Sequence, residues 1–355
     1  MKRYFDEQDR KKRIGWVDIA KFIGIFFVML SHFESCPSFL REFFTPFYLA
    51  IFFFCSGYTY RHREGFSAFF RKKVRQLVLP WFIYSNLNII LSNIKSFKHH
   101  RSGFTTELFR NLLQIRYYDE RLWFIPALFS AYLAFYFVIR WYEKKKDRGQ
   151  LLLLCAVLAF LRKLYKQFMN PELLPWKLIN LPWHIDYIPT ALLFMVLGYL
   201  FRDVEAPFDE KLDLKWKLLI AAVYLLLVYV PYMGDISFVW FADFFYDHLC
   251  HILGIILIIM IAKKIPAYKI LLYIGSNTLI YFCLHNKAIT ALEVCFKRFL
   301  SGLYQTVTAN PLLSALFCAA MTAIVALLLI IPTAFINRCL PWTVGRKKPP
   351  HTNNQ

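Results

Sequence analysis

The chain of 355 residues carries a formal charge of +20 and is 58% hydrophobic and 19% aromatic, against the roughly 45–50% apolar content of an average soluble domain. Apolar runs of about 20 residues, the length that crosses about 30 Å of hydrocarbon, recur between short charged segments. That pattern excludes a soluble globular enzyme, and the basic balance reads as loops that orient helices against anionic lipid headgroups, with no nucleic-acid surface.

The first residues, 1–13 (MKRYFDEQDRKKR), form a basic cytoplasmic tail. The apolar run behind it reaches spanning length without a small-residue cleavage site, so it is read as a retained first helix and not as a signal peptide. In chain order, spans are expected at 14–33, 43–60, 77–94, 122–141, 151–168, 186–201, 216–232, 243–262, 271–288 and 312–336. The expected fold is therefore all-α: a polytopic membrane helix bundle of about ten transmembrane helices, with both termini cytoplasmic. Residues 14–340 make one transmembrane domain, and 341–355 make a cytoplasmic tail. The fifth span is the least apolar, because only Leu151 to Leu161 is clean before Arg162, Lys163 and Lys166. Keeping it gives the cytoplasmic segments about twice the Lys and Arg of the outer ones, whereas dropping it puts Lys263, Lys264, Arg346, Lys347 and Lys348 outside. The eight cysteines lie mostly in or beside spans and lack CxxC spacing, so they read as small buried apolar residues. No metal site is expected.

The opening helix, RIGWVDIAKFIGIFFVMLSHF, holds Asp18, Lys21 and His32 in an apolar run, where each ionisable group costs about 2.5 kcal/mol or more at mid-membrane. At 100° per residue Lys21 lies about 60° and His32 about 40° from Asp18. The three share one face, which must point into the bundle or a wet cavity. Asp18 and Lys21 also fit a plain i,i+3 ion pair, and His32 a plain interhelical hydrogen bond.

Other polar groups fall at the level of His32 in the expected topology. FADFFYDHLCH delivers Asp243, Asp247, His248 and His251, and YYDERLWF supplies Asp119, Glu120, Arg121 and Trp123. LPWHID adds Trp183, His184 and Asp186, while SNTLIYFCLHNKAI places Asn277, Tyr281 and His285 at i, i+4 and i+8, a polar stripe on one helix face, with Asn286 beside them. Singly each reads as an interface residue or a cap. Together they describe an outward-facing pocket of carboxylates, imidazoles and aromatic rings, which suits a sugar: hydroxyls take the acceptors, and C–H faces lie on the rings. On the opposite side, TYRHREGFSAFFRKKVRQLVLPW gathers Arg71, Lys72, Lys73 and Arg75. The positive-inside rule alone accounts for a basic loop, and so does an anion site for phosphates. Gly57, at the inner end of the second span, would let backbone or ligand approach closely.

The blocks RIGWVDIAKFIGIFFVMLSHF, PFYLAIFFFCSGY, RKKVRQLVLPWFIYS, LWFIPALFSAY, LPWHIDYIPTALLFMVLGY and IGSNTLIYFCLH, in this order, resemble the integral-membrane acyltransferase 3 family. Within it the chain is most similar to the fucose 4-O-acetylase and sugar O-acetyltransferase branch. The resemblance implies about ten transmembrane helices in a bacterial inner or plasma membrane. It also implies transfer of an acetyl group from cytoplasmic acetyl-CoA to a hydroxyl of a cell-surface or lipid-linked glycan. It makes His32 the essential histidine and assigns the basic motif, R-x-x-R in related members, to the nucleotide end of coenzyme A. Here that window reads KKVR, Lys72 to Arg75, preceded by Arg71, so either Arg71 or Lys72 stands for the first arginine. Lys21, with Asp18 beside it, stands where many members carry a first-helix arginine and joins the donor-binding set.

The expected chemistry is direct acyl transfer with His32 as general base, or an acetyl-histidine intermediate on the same ring. Asp18 cannot orient that ring, since fourteen residues of helix rise span about 21 Å. His285 and Asp186 are the further catalytic candidates, Asp243 and Asp247 the other possible partners of His32, and Tyr281, Asn277 or backbone amides the oxyanion donors. Trp123, Trp183, Asp243, Asp247 and His248 are the acceptor-binding candidates. The rival class is a transporter or flippase for a glycan or lipid-linked sugar, whose polar intramembrane faces look alike; consumption of acetyl-CoA separates the two.

Overall fold

The computed structural model describes residues 14–61, 64–93, 101–114, 122–168, 181–234 and 240–346. The expected tails at 1–13 and beyond 346, and Asp119, Glu120 and Arg121, lie outside the described residues. Among those described the chain is helical throughout, with no strand. Six helices among the described residues are long and apolar enough to cross a membrane: Phe124–Lys145, Pro182–Lys211, Leu214–Tyr232, Ala242–Lys264, Thr278–Phe299 and Pro311–Cys339. They overlap six of the expected spans, with Pro182–Lys211 running past the expected end at 201 and Thr278–Phe299 shifted toward the C-terminus of the expected 271–288, and the protein is an integral-membrane, all-α chain.

In chain order the helices are α1 (Gly15–Ser31), α2 (Ser38–Phe44), α3 (Ala50–Thr59), α4 (Phe66–Lys73), α5 (Leu79–Asn93), α6 (Arg101–Leu113), α7 (Phe124–Lys145) and α8 (Arg148–Phe168). They continue as α9 (Ile188–Lys211), α10 (Leu214–Gly234), α11 (Trp240–Lys264), α12 (Lys269–Ser276), α13 (Thr278–Phe299), α14 (Ser301–Ala309), α15 (Pro311–Leu328) and α16 (Ile330–Cys339). Two of the expected spans are broken. Residues 43–60 hold α2's end and the ten-residue α3, separated by a turn at Pro46, whose ring removes a helical N–H. Residues 271–288 are interrupted at Asn277, which sits outside helical geometry between α12 and α13. A π-turn at Val74–Val78 joins α4 to α5, and Pro80, which has no N–H to donate, follows after Leu79.

The chain forms two compact units. One takes the described residues up to Cys55, Pro207–Tyr281 and Lys287–Leu327, and the other takes Ser56–Ala206, Phe282–Asn286 and the residues from Leu328. In the first unit α11 and α12 pack on α1. Phe27 stacks on Phe44 at 5.3 Å, and Phe43 meets Tyr224 of α10 at 5.9 Å, pairs that add about 0.5–1.5 kcal/mol each beyond burial. A Cβ on Gly275 of α12 would fall 1.8 Å from the Asp18 carbonyl oxygen, so the two backbones touch only because that position is glycine. In the second unit α7 presents a buried face of Phe129, Tyr132, Phe135 and Tyr136. Gly57 meets a backbone there: its Cβ would lie 1.8 Å from the Met195 carbonyl oxygen of α9.

Candidate active site

His32 caps the C-terminus of α1 and is exposed. Its Nδ1 lies 2.7 Å from the Val28 carbonyl oxygen, and the Ser31 hydroxyl donates to the same oxygen at 2.8 Å. A carbonyl only accepts, so Nδ1 carries the proton and the lone pair of the neutral ring sits on Nε2. Around the ring, Arg41 of α2 donates to the carbonyls of Ser31, Phe33 and Cys36. The Glu34 amide donates to Glu293 at 3.1 Å, and the Ser314 hydroxyl donates to the Ser35 carbonyl. Lys297 pairs with Glu34 at 2.6 Å.

Helix α11 runs antiparallel to α1, because Lys263 near its end lies over the ring of Trp16 near the start of α1, 5.3 Å from the centroid. Asp243, Asp247 and His248 lie in the first half of α11, toward the end opposite this contact. His248 Nδ1 lies 2.8 Å from the Phe244 carbonyl oxygen, and His251 Nδ1 lies 2.5 Å from that of Asp247, so both rings share the tautomer of His32. At the other end of α1, Lys21 and the buried Asp18 are joined at 2.6 Å.

The second unit holds a cavity of ≈ 240 Å³ lined by Ser56, Thr59, Tyr60, Arg61, Glu64, Phe69, Lys72, Lys73, Tyr132 and Tyr136. Lys73 places its ammonium 3.2 Å from the centroid of the Tyr132 ring, a cation–π contact that favours the charged form. Burial pulls that ammonium down to about 7, Lys72 beside it acts in the same direction, and Glu64 opposes both. Lys72 pairs with Glu64 at 2.8 Å. Of the other donor-site candidates, Arg71 is exposed on α4, and Arg75, carried by the π-turn, donates from Nε to the Gly345 carbonyl at 3.1 Å. Lys73 belonged to the basic run but not to the sequence-derived site; that it faces a cavity follows from the i,i+4 pair Tyr132 and Tyr136 across from it, a long-range match no local spacing encodes. Arg61 is drawn in by its bonds to the carbonyls of Tyr58 and Tyr60.

The LPWHID segment forms a tight 3₁₀ turn, Pro182–Tyr187, in which Trp183 and His184 both adopt left-handed backbone angles, φ 58° and 51°, at a cost of about 1–2 kcal/mol each. Side chains hold it there. Trp183 donates from its indole to the Leu112 carbonyl and packs on Trp81 at 5.0 Å, while the Ser130 hydroxyl donates to the Trp183 carbonyl. Trp123 lies against His184 and Tyr187. Asp186 is buried, accepts from the Leu181 amide, and its carbonyl accepts from Arg162 at 2.8 Å. Trp123, Trp183 and Asp186 thus share one cluster. His285 is buried in this second unit, with Nδ1 2.8 Å from the Phe282 carbonyl. The stripe expected through Asn277, Tyr281 and His285 does not run on one helix face: Asn277 lies at the break and donates to the Tyr273 carbonyl, and Tyr281, fully buried, donates to the Ala326 carbonyl at 3.0 Å.

The apolar spanning helices define an integral-membrane protein. Residues 14–331 match the family model described as an acyltransferase domain, of the acyltransferase 3 type. The chain belongs to the acyltransferase 3 family and is a membrane acyltransferase. No curated protein and no solved structure matches it.

Proposed function

We propose that the protein moves an acetyl group from acetyl-CoA to a hydroxyl of a cell-surface or lipid-linked glycan. The tautomer of His32 carries this reading. Its Nε2 lone pair accepts the proton of the sugar hydroxyl, the oxygen attacks the thioester carbonyl, the C–S bond breaks, and the leaving thiolate recovers the proton from the imidazolium. The products are an O-acetyl ester and free coenzyme A. In the first unit Asp243, Asp247 and His248, on the helix packed against α1, are suited to bind acceptor hydroxyls. In the second unit Arg61, Lys72 and Lys73 suit the donor phosphates. The bundle orientation that goes with this reading has about ten spans, cytoplasmic termini and the basic cavity on the inner side. The test is coenzyme A release by the purified protein supplied with acetyl-CoA and candidate glycans. No release on any acceptor and no acetyl-CoA binding would defeat the proposal.

The same site carries a pH prediction. Above pH 7 phosphates, whose second ionisation lies near 6, no longer titrate, whereas Lys73 loses its proton through this range. Acetyl-CoA binding is expected to weaken by about three- to tenfold between pH 7 and 9, and Lys73→Arg, whose guanidinium stays charged, flattens the dependence. Calorimetric titration at both pH values checks it; equal slopes in the two proteins remove Lys73 from donor binding.

A further inference from the structure

Helix α1 ends at Ser31, and the chain then turns through residues 32–37 into α2. The last carbonyls of a helix lack intrahelical partners, and no glycine caps this end. One side chain substitutes. Arg41 directs three of its donors to three carbonyls of the turn: Nη1 to Ser31 at 2.8 Å, Nη2 to Phe33 at 2.8 Å and Nε to Cys36 at 3.1 Å. Two of these carbonyls belong to the residues flanking His32. The imidazole is in turn bonded to Val28, one turn back on α1. The ring direction therefore depends on the φ and ψ of His32, and the guanidinium holds the peptide group that enters His32 and the one that leaves Phe33, so the two residues between them are fixed at both ends.

Resting on the general-base role proposed for His32, we infer that Arg41 is a positioning residue for that base. Its planar fork holds the turn so that Nε2 faces the reacting hydroxyl, and it touches neither substrate. A lysine supplies a point charge in place of a fork and cannot span carbonyls set at three angles. Displacing a catalytic group by about 1 Å costs on the order of a hundredfold in rate.

The experiment compares wild type, Arg41→Lys, Arg41→Ala, His32→Ala and the double variant Arg41→Ala/His32→Ala in lipid nanodiscs. It measures coenzyme A release, acetyl-CoA affinity and thermal unfolding. The expected result is a ten- to hundredfold loss of kcat for Arg41→Ala with acetyl-CoA affinity within twofold of wild type, a smaller loss for Arg41→Lys, and no further loss when Arg41→Ala is added to His32→Ala. Should Arg41→Ala not fold, Arg41→Lys with an unchanged unfolding temperature supplies the same comparison. Wild-type kcat in a folded Arg41 variant, a loss confined to KM, or an equal factor lost on top of His32→Ala would overturn the inference while leaving the acyltransferase reading intact. Wild-type turnover by His32→Ala removes the base assignment, and this inference with it.

Discussion

Replacing His32 by alanine is expected to lower coenzyme A release by about 10²–10⁴-fold, the range that general acid–base groups supply, with acetyl-CoA affinity unchanged. His32→Gln should fare no better. Its amide can keep a bond to the Val28 carbonyl but cannot take a proton from a hydroxyl and return it to a thiolate. The pH profile gives a second readout. Protonated imidazole has no lone pair to offer, so wild-type kcat/KM falls on the acid side, and the residual rate of His32→Ala loses that limb. A variant that lacks the imidazole yet keeps both rate and profile would show that the proton goes elsewhere.

Gly275→Ala carries the second large effect, and it acts on folding. The added methyl would stand 1.8 Å from the Asp18 carbonyl oxygen and 2.6 Å from its carbon. Both atoms are backbone, so no rotamer change relieves the overlap and α12 must shift away from α1. We expect a loss of about 3 kcal/mol or more, in the range of the severest single substitutions, seen as a drop in unfolding temperature and in yield from detergent. Gly302→Ala is the control: nothing lies within 4 Å of its Cβ position, and alanine there adds helix propensity. Equal unfolding temperatures for the two variants would mean that the backbones do not meet as described.

Much of the architecture was legible in the sequence because hydropathy answers to a single constraint, the thickness of the membrane. It located four spans to within a few residues, while Pro182–Lys211 and Thr278–Phe299 run about ten residues past their expected ends. It could not show that residues 43–60 and 271–288 are discontinuous, since a break at Pro46 or Asn277 leaves the apolar run intact while cutting the helix. The Asp18–Lys21 pair was readable from i,i+3 spacing. The partners of individual groups were not. Tyr281 looked like a polar stripe residue by periodicity, but its hydroxyl is taken up by a carbonyl 45 positions away. Lys73 looked like any member of a basic run, and only the packing of α4 on α7 turns its ammonium over the Tyr132 ring. Arg41 gave no signal, because a residue that bonds main-chain carbonyls belongs to no side-chain motif.

The turn bearing His32 also sets an order of events for the growing chain. Its amide and carbonyl partners, Glu293 and Ser314, lie 259 and 279 residues downstream of the groups they bind. A ribosome-bound chain that has released α1 into the bilayer therefore holds Glu34 N–H and Ser35 C=O in a provisional state until α13 and α15 have been inserted. Nascent chains halted before residue 310 should carry the histidine without its finished surroundings. Activity would then switch on as a late step in biogenesis, after nearly every helix has entered the membrane.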